Sequence, residues 1–293
     1  MELPSYNITY SKNPKNFKVK LLKDSPHLLK TIKKEKKAIK AFIKTNPIAG
    51  IISDNRFGVR HKSIPSVFIT HQLQVLSGNT TWLSSKMHQH IISKFDECWI
   101  PDYKGSKNLS GILGHPENFE APLKYLGPLS RFKKQDLETK YQLLVVLSGP
   151  EPQRTFLEEK LLKELKYYQG NVCFVKGTVA PIQTKTQQEH INIYNYMTSV
   201  ELETAINQSN MVLGRSGYTS IMDLAKLEKK AFFIPTPGQF EQEYLAKKLK
   251  AEHIAPYANQ DEFDIEQLTE IENYNGFKFE AFQVNYNKLF GLF

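Results

Sequence analysis

Short apolar runs that stop abruptly at Gly, Asp, His or Pro recur through the first half of the chain. They are Ile48 to Asp54 (IAGIISD), Pro65 to Leu73 (PSVFITHQL), Phe95 to Asp102 (FDECWIPD) and Leu123 to Arg131 (LKYLGPLSR). Runs of this length predict buried strands that deliver polar side chains at their ends. Leu76 to Ser93 supplies a crossover helix between them. Ahead of them, Ser25 to Lys44 repeats with the helical period. Leu28, Ile32, Ile39 and Ile43 share a face, Ser25 is placed to cap the start, Pro26 takes the first helical position, and lysine fills most of the remainder.

After Arg131 a polar stretch, FKKQDLETKYQ, reads as a linker, and a regular alternation follows. Strands are expected at Gln142 to Leu147, VCFV, INIYN, Met211 to Leu213, Ala231 to Ile234 and around Ile254. Helices are expected at Gln153 to Tyr168, from a capping box at Thr198 and Glu201 to Asn207, and at Thr219 to Lys229 and Gln239 to Lys250. Strand and helix in this rhythm predict a parallel sheet covered on both faces, hence an α/β fold. The expected organisation is two α/β domains, 1–130 and 131–275, and a closing aromatic segment, 276–293, that packs as a helix.

Composition adds constraints. With 40% apolar and 12% aromatic residues the chain can bury a proper core. It contains no run of about 18 uncharged apolar residues, and MELPSYNITYSKN lacks the basic and apolar segments of a signal peptide. Secretion and membrane spanning are therefore not expected. Cys98 and Cys173 lie in strand-like runs, far apart and without metal-ligand neighbours, and read as buried reduced thiols. The net charge of +9 favours anionic partners, which leaves phosphorylated substrates, acidic lipid surfaces and nucleic acid open. The lysine face of the first helix fits an anionic membrane surface or plain solvation.

In a doubly wound sheet a ligand sits beyond the carboxyl ends of the strands, so those loops hold the candidate chemistry. Ser148-Gly149-Pro150-Glu151-Pro152-Gln153-Arg154 is a tight turn into a helix whose free N–H groups can hold a phosphate. Asn195, Tyr196 and Met197 can wall a flat base. Arg215, Ser216, Gly217, Tyr218 and Thr219 follow the Met211 strand. There Arg215 can meet a phosphate, Gly217 permits close approach to the helix start, and Asp223 lies where a carboxylate can accept from both hydroxyls of a ribose. Gln239, Glu241, Gln242 and Glu243 can reach sugar hydroxyls. Singly, each of these is also an ordinary turn, surface acid or core neighbour.

Taken together, RSGYTSIMDLAKLEKKAFFIPTPGQFEQEYLAKKL resembles the nucleotide-sugar half of GT-B glycosyltransferases with a family-28 C-terminal domain, the group that includes the N-acetylglucosaminyltransferase completing lipid II. Arg215, Gly217 and Asp223 fall on that family's Arg, Gly and ribose-binding acid, with Asp in place of Glu. Pro235 matches the following strand end. Glu241-Gln242-Glu243-Tyr244-Leu245-Ala246 keeps the Gln and Ala of the family's His-Gln-x-x-Asn-Ala element but not its His or Asn. PSVFITHQL is similar to the strand that places His71 and Gln72 at the cleft, and KYLGPLSR to the passage into the second domain. The strand, Gly-rich turn and helix that open such enzymes have no counterpart here. The resemblance therefore implies a start about two elements into the domain, at ELPSYNITY, and an N-terminal domain that is incomplete.

That resemblance implies two Rossmann-like domains of GT-B type. It implies sugar transfer from a nucleoside-diphosphate donor, UDP-linked and with UDP-GlcNAc among the options, to a hydroxyl of a glycan or lipid-linked acceptor. It further implies no cofactor, no metal and no nucleic-acid partner, and a cytoplasmic location, peripheral at the inner face of the membrane. Asp54 and His71 are the candidate bases. A noncatalytic nucleotide-sugar-binding subunit and a UDP-sugar epimerase on the same scaffold are the alternatives.

Overall fold

A computed structural model of the chain describes residues 2–4, 17–78 and 81–293. Most of the segment ELPSYNITY lies outside the described residues. The chain divides into two compact units, Met1–Leu129 with Ala281–Phe293, and Ser130–Glu280.

In the first unit, α1 runs from Phe17 to Thr45, and β1 (Ile51–Asp54), β2 (Ser66–Ile69), α2 (Thr81–Ile92), β3 (Glu97–Ile100) and β4 (Leu123–Tyr125) follow. The expected start of α1 at Ser25 is corrected. The helix begins eight residues earlier, and Ser25 and Pro26 lie inside it. FKVKLLKD ahead of them is rich in good helix formers, and their summed propensity outweighs one local stop signal. Ile32 and Ile39 face inward and are 7% exposed, while Lys30, Lys33, Lys34, Lys37 and Lys40 face outward. The four strands are all parallel, in the order β1-β2-β3-β4. Phe68, Cys98 and Ile100 are fully buried on one side of them with Leu73, Ile92 and Phe95.

The second unit contains β5 (Tyr141–Val146), α3 (Gln153–Glu164), β6 (Val172–Val175), β7 (Lys185–Gln188), β8 (Ile191–Tyr194), α4 (Ser199–Asn207), β9 (Ser209–Gly214), α5 (Tyr218–Lys226), β10 (Lys230–Phe233) and α6 (Phe240–Ala251). Its sheet is ordered β10-β9-β5-β6-β8-β7. All neighbours pair in parallel except β7, an antiparallel edge on β8. The sequence pattern misses β7 because KTQQ is polar and wholly exposed, so no apolar alternation marks it. The strand expected around Ile254 is corrected to a single bridge between Phe233 and Tyr257. The capping box at Thr198 and Glu201 forms as expected. Val145, Leu157, Leu161, Phe174 and Leu213 are buried together at the centre.

Of the closing segment, residues 281–293 belong to the first unit. Only Tyr286–Leu289 becomes a helix, α7. The tail is held instead by its aromatic rings, with Phe290 edge-on to Trp99 at 5.5 Å and Leu289 packed with Val67 and Leu126.

Candidate functional site

In the second sheet β5 is followed in the chain by β6 on one side and has β9 on the other, so the exits of β5 and β9 flank the topological switch point, where doubly wound sheets hold ligands. Gly149, after β5, has a φ of +98°, which demands glycine. Among the described residues, its chain neighbours apart, a Cβ there would meet Oγ1 of Thr236, at 3.7 Å. Gly217, at the start of α5, would carry a Cβ with nothing within 4 Å. It is the N-cap residue of α5 and supplies no side-chain cap to the positive end of the helix dipole.

Asp223 stands in the second turn of α5, half-buried, and its Oδ1 accepts from the Ser130 hydroxyl at 2.6 Å. Burial raises its carboxyl above the usual range, while the Ser130 bond and the Arg131 charge oppose the shift. Ser130 lies 93 positions away in the chain, so no helical or strand spacing pairs it with Asp223.

Arg215 departs from expectation. It is 2% exposed and turned under the loops rather than toward an open phosphate position. Its Nη1 donates to the carbonyls of Ile234 and Pro235, each at 3.0 Å, and its Nη2 to the Gln153 carbonyl at 2.9 Å and Oε1 of Gln260 at 2.7 Å. Burial brings its pKa down to about 10, which leaves it charged at neutral pH. Its guanidinium lashes together the exits of β5, β9 and β10. Arg154 is likewise occupied, by Glu151 and Glu158.

The remaining predicted residues separate by depth. Ser216 and Tyr218 are buried, Ser216 donating to the Gln242 carbonyl at 2.8 Å, while Ser148, Gly149 and Thr219 face outward. Gln242 directs Oε1 to the Thr236 amide at 2.8 Å, which leaves its NH2 group to donate elsewhere. Gln239 is the N-cap residue of α6, and Glu241 lies in its first turn. Asn195 and Met197 follow β8, which β6 separates from β5. The Asn195 side chain is spent on its own loop, accepting from Thr184 and donating to Ile182. Among the described residues no group of three or more His, Cys, Asp or Glu side chains is placed to hold a metal ion.

In the first unit, Asp54 ends β1, level with Ile69 of β2, and His71 follows two residues later, so both candidates lie at one sheet edge. Asp54 is exposed, and its loop is anchored by Glu35 of α1, which is fully buried, receives the Gly58 amide at 2.8 Å and pairs with Arg56 at 3.1 Å. Beneath them His88 lies edge-on to Phe57 at 5.1 Å, with Nε2 buried and unpartnered. Burial holds its pKa down to about 4, helped by His71 and opposed by the Gln72 backbone.

This has a sign. The unfolded chain takes a proton at His88 near pH 6.5 and the folded chain only near 4. Stability from this group is therefore present above pH 6.5 and lost as pH falls toward 4, by about 3 kcal/mol. Urea unfolding of wild type and His88→Phe at pH 7 and 4.5 should show a smaller loss in the variant. Equal losses would show that His88 does not set this pH dependence.

Residues 143–273 match the model of the glycosyltransferase family 28 C-terminal domain. The chain is 22% identical over 211 residues to the UDP-N-acetylglucosamine--N-acetylmuramyl-(pentapeptide) pyrophosphoryl-undecaprenol N-acetylglucosamine transferase of Haemophilus ducreyi, covering 69% of this chain and 56% of that protein. It thus spans little more than half the length of that relative. Among solved structures, CalG4, the calicheamicin glycosyltransferase, superposes with a TM-score of 0.60 at 10% identity, covering 91% of this chain and 76% of that one. Acinetobacter baumannii MurG does so with a TM-score of 0.51 at 13% identity, covering 93% and 74%. Over residues 143–273 the second unit is thus similar to the glycosyltransferase family 28 C-terminal domain, and the chain has the fold of GT-B glycosyltransferases.

Proposed function

We propose that the chain binds a UDP-linked sugar, such as UDP-GlcNAc, on its second unit and transfers the sugar to a hydroxyl of a glycan or lipid-linked acceptor. The observation that carries this reading is the start of α5 at the switch point, where Gly217 gives no side-chain cap and a Cβ would meet nothing within 4 Å, with a half-buried carboxylate in the second turn of the same helix. The amides at Gly217 to Thr219 receive the diphosphate, and Asp223 accepts from the ribose hydroxyls. Gln242 donates to the sugar, with Gln239 and Glu241 beside it, and Met197 contributes to the base wall. Arg215 works one layer behind, holding the loops in place.

In transfer, an acceptor oxygen forms a bond to the anomeric carbon while the bond from that carbon to the phosphate oxygen breaks. The electron pair leaves with UDP, where the helix terminus offsets the developing charge without a metal. The acceptor proton passes to a base, for which Asp54 and His71 are the candidates. A lipid-linked acceptor would place the protein at the inner membrane face, and the outward lysines of α1 suit that surface. Among the described residues no helix is long and apolar enough to cross a membrane.

Incubation with labelled UDP-GlcNAc and candidate acceptors tests the reading. Acceptor-dependent release of UDP supports transfer. An epimerised sugar nucleotide formed without acceptor would replace transfer with epimerisation, and binding without turnover on any acceptor would leave a nucleotide-sugar-binding subunit.

A further inference from the structure

The turn after β5 holds a charge balance that the donor reading does not use. Arg154 is 8% exposed and all its guanidinium nitrogens are engaged. Its Nε donates to Oε1 of Glu151 at 2.7 Å. Its Nη1 donates to Oε2 of Glu158 at 2.7 Å and to the Lys176 carbonyl at 3.1 Å, and its Nη2 to Glu151 and to Oγ1 of Thr155 at 3.0 Å. Lys176 also bridges to Glu158 at 2.8 Å. Two cations and two carboxylates make a cluster of zero net charge.

The two acids are not equally held. The Glu158 side chain is 15% exposed and has two cationic partners, whereas that of Glu151 is 55% exposed. An exposed carboxylate of this kind is bound weakly and exchanges readily with solvent. Its Oε2 accepts from the Thr155 amide at 3.2 Å and from Oγ1 of Thr155 at 2.7 Å. Those contacts, together with Arg154, hold its carboxyl below the usual range, so it is ionised at neutral pH. An internal anion thus occupies the arginine that the turn offers at the switch point.

We propose that Glu151 is an internal counter-anion that competes with the donor's phosphates for Arg154 and so sets how tightly the chain holds a nucleoside diphosphate. This inference rests on the nucleotide reading above. When Glu151 swings into solvent, Arg154 and Lys176 face Glu158 alone, and the cluster gains one net positive charge beside the Gly149 turn. A diphosphate responds to that charge and an uncharged nucleoside does not.

Calorimetric titration of wild type, Glu151→Gln and Glu151→Gln/Arg154→Gln with UDP and with uridine tests it, with melting curves alongside. Glu151→Gln should bind UDP about fivefold more tightly, with a steeper loss of affinity as NaCl is raised and no change toward uridine. The gain should disappear in the double variant. Unchanged or weaker UDP binding by Glu151→Gln would overturn the proposal and leave Glu151 as a cap for α3, and a lowered melting temperature would accompany that outcome. A gain that survives loss of Arg154 would overturn it as well. If wild type binds no UDP, the nucleotide reading itself falls. If wild type binds and Glu151→Gln binds equally well, only the counter-anion falls.

Discussion

Asp223→Ala is expected to weaken UDP binding roughly 30-fold, about 2 kcal/mol, the scale of hydrogen bonds to one charged acceptor. The carboxylate is held in place by Ser130 at 2.6 Å, so it meets a ribose without first being ordered. A sharper version compares UDP with 2′-deoxy-UDP. Wild type should favour UDP, and the variant should bind the two alike. Equal preference in both proteins would place the ribose elsewhere. The pH dependence has a definite direction. Burial raises the folded-state pKa of Asp223 above its ordinary 3.8, so UDP affinity falls as pH drops through that raised value. Stability at this residue moves the opposite way. The folded chain takes up the proton first, so the favourable contribution is full below the unfolded pKa and is lost as pH rises through the folded one. Asp223→Asn should therefore not lower the melting temperature at neutral pH even as it weakens binding.

The largest stability effect is expected at Arg215. Replacement by Met leaves the carbonyls of Gln153, Ile234 and Pro235 and the Gln260 amide oxygen without their donor in a buried setting. The expected loss is about 3 kcal/mol or more. That corresponds to roughly 6–12 °C in the melting of a unit of this size. Arg215→Lys separates lashing from phosphate binding. A single ammonium cannot span four acceptors spread over three segments, so Lys should destabilise nearly as much as Met. If Lys instead preserves the melting temperature and UDP affinity, Arg215 acts as a point charge on phosphate and the lashing role is wrong.

The alternation of strand and helix was legible because buried parallel strands are apolar throughout and end in polar residues, as at Val145 and Leu213. The edge strand β7 was not legible, because its four residues are exposed and carry no period. The site shows the same division. The spacing of Gly217 and Asp223 along one helix is local, and reading it requires only helix geometry. The direction of Arg215 is not local. Its acceptors lie 19, 20, 45 and 62 positions away, on segments that only the folded sheet brings together. The capture of Arg154 lies between these cases. Glu151 and Glu158 stand at helical spacing from it, so the pairing was open to reading, but nothing in the spacing shows that both acids close on it at once.

The most direct measurement is a calorimetric titration of the wild-type chain with UDP-GlcNAc in buffer containing EDTA. Saturable binding at one site per chain, competed by UDP and lost in Asp223→Ala, is the predicted result. No saturable heat up to millimolar nucleotide sugar, or binding that Asp223→Ala leaves intact, would contradict a donor site at the start of α5.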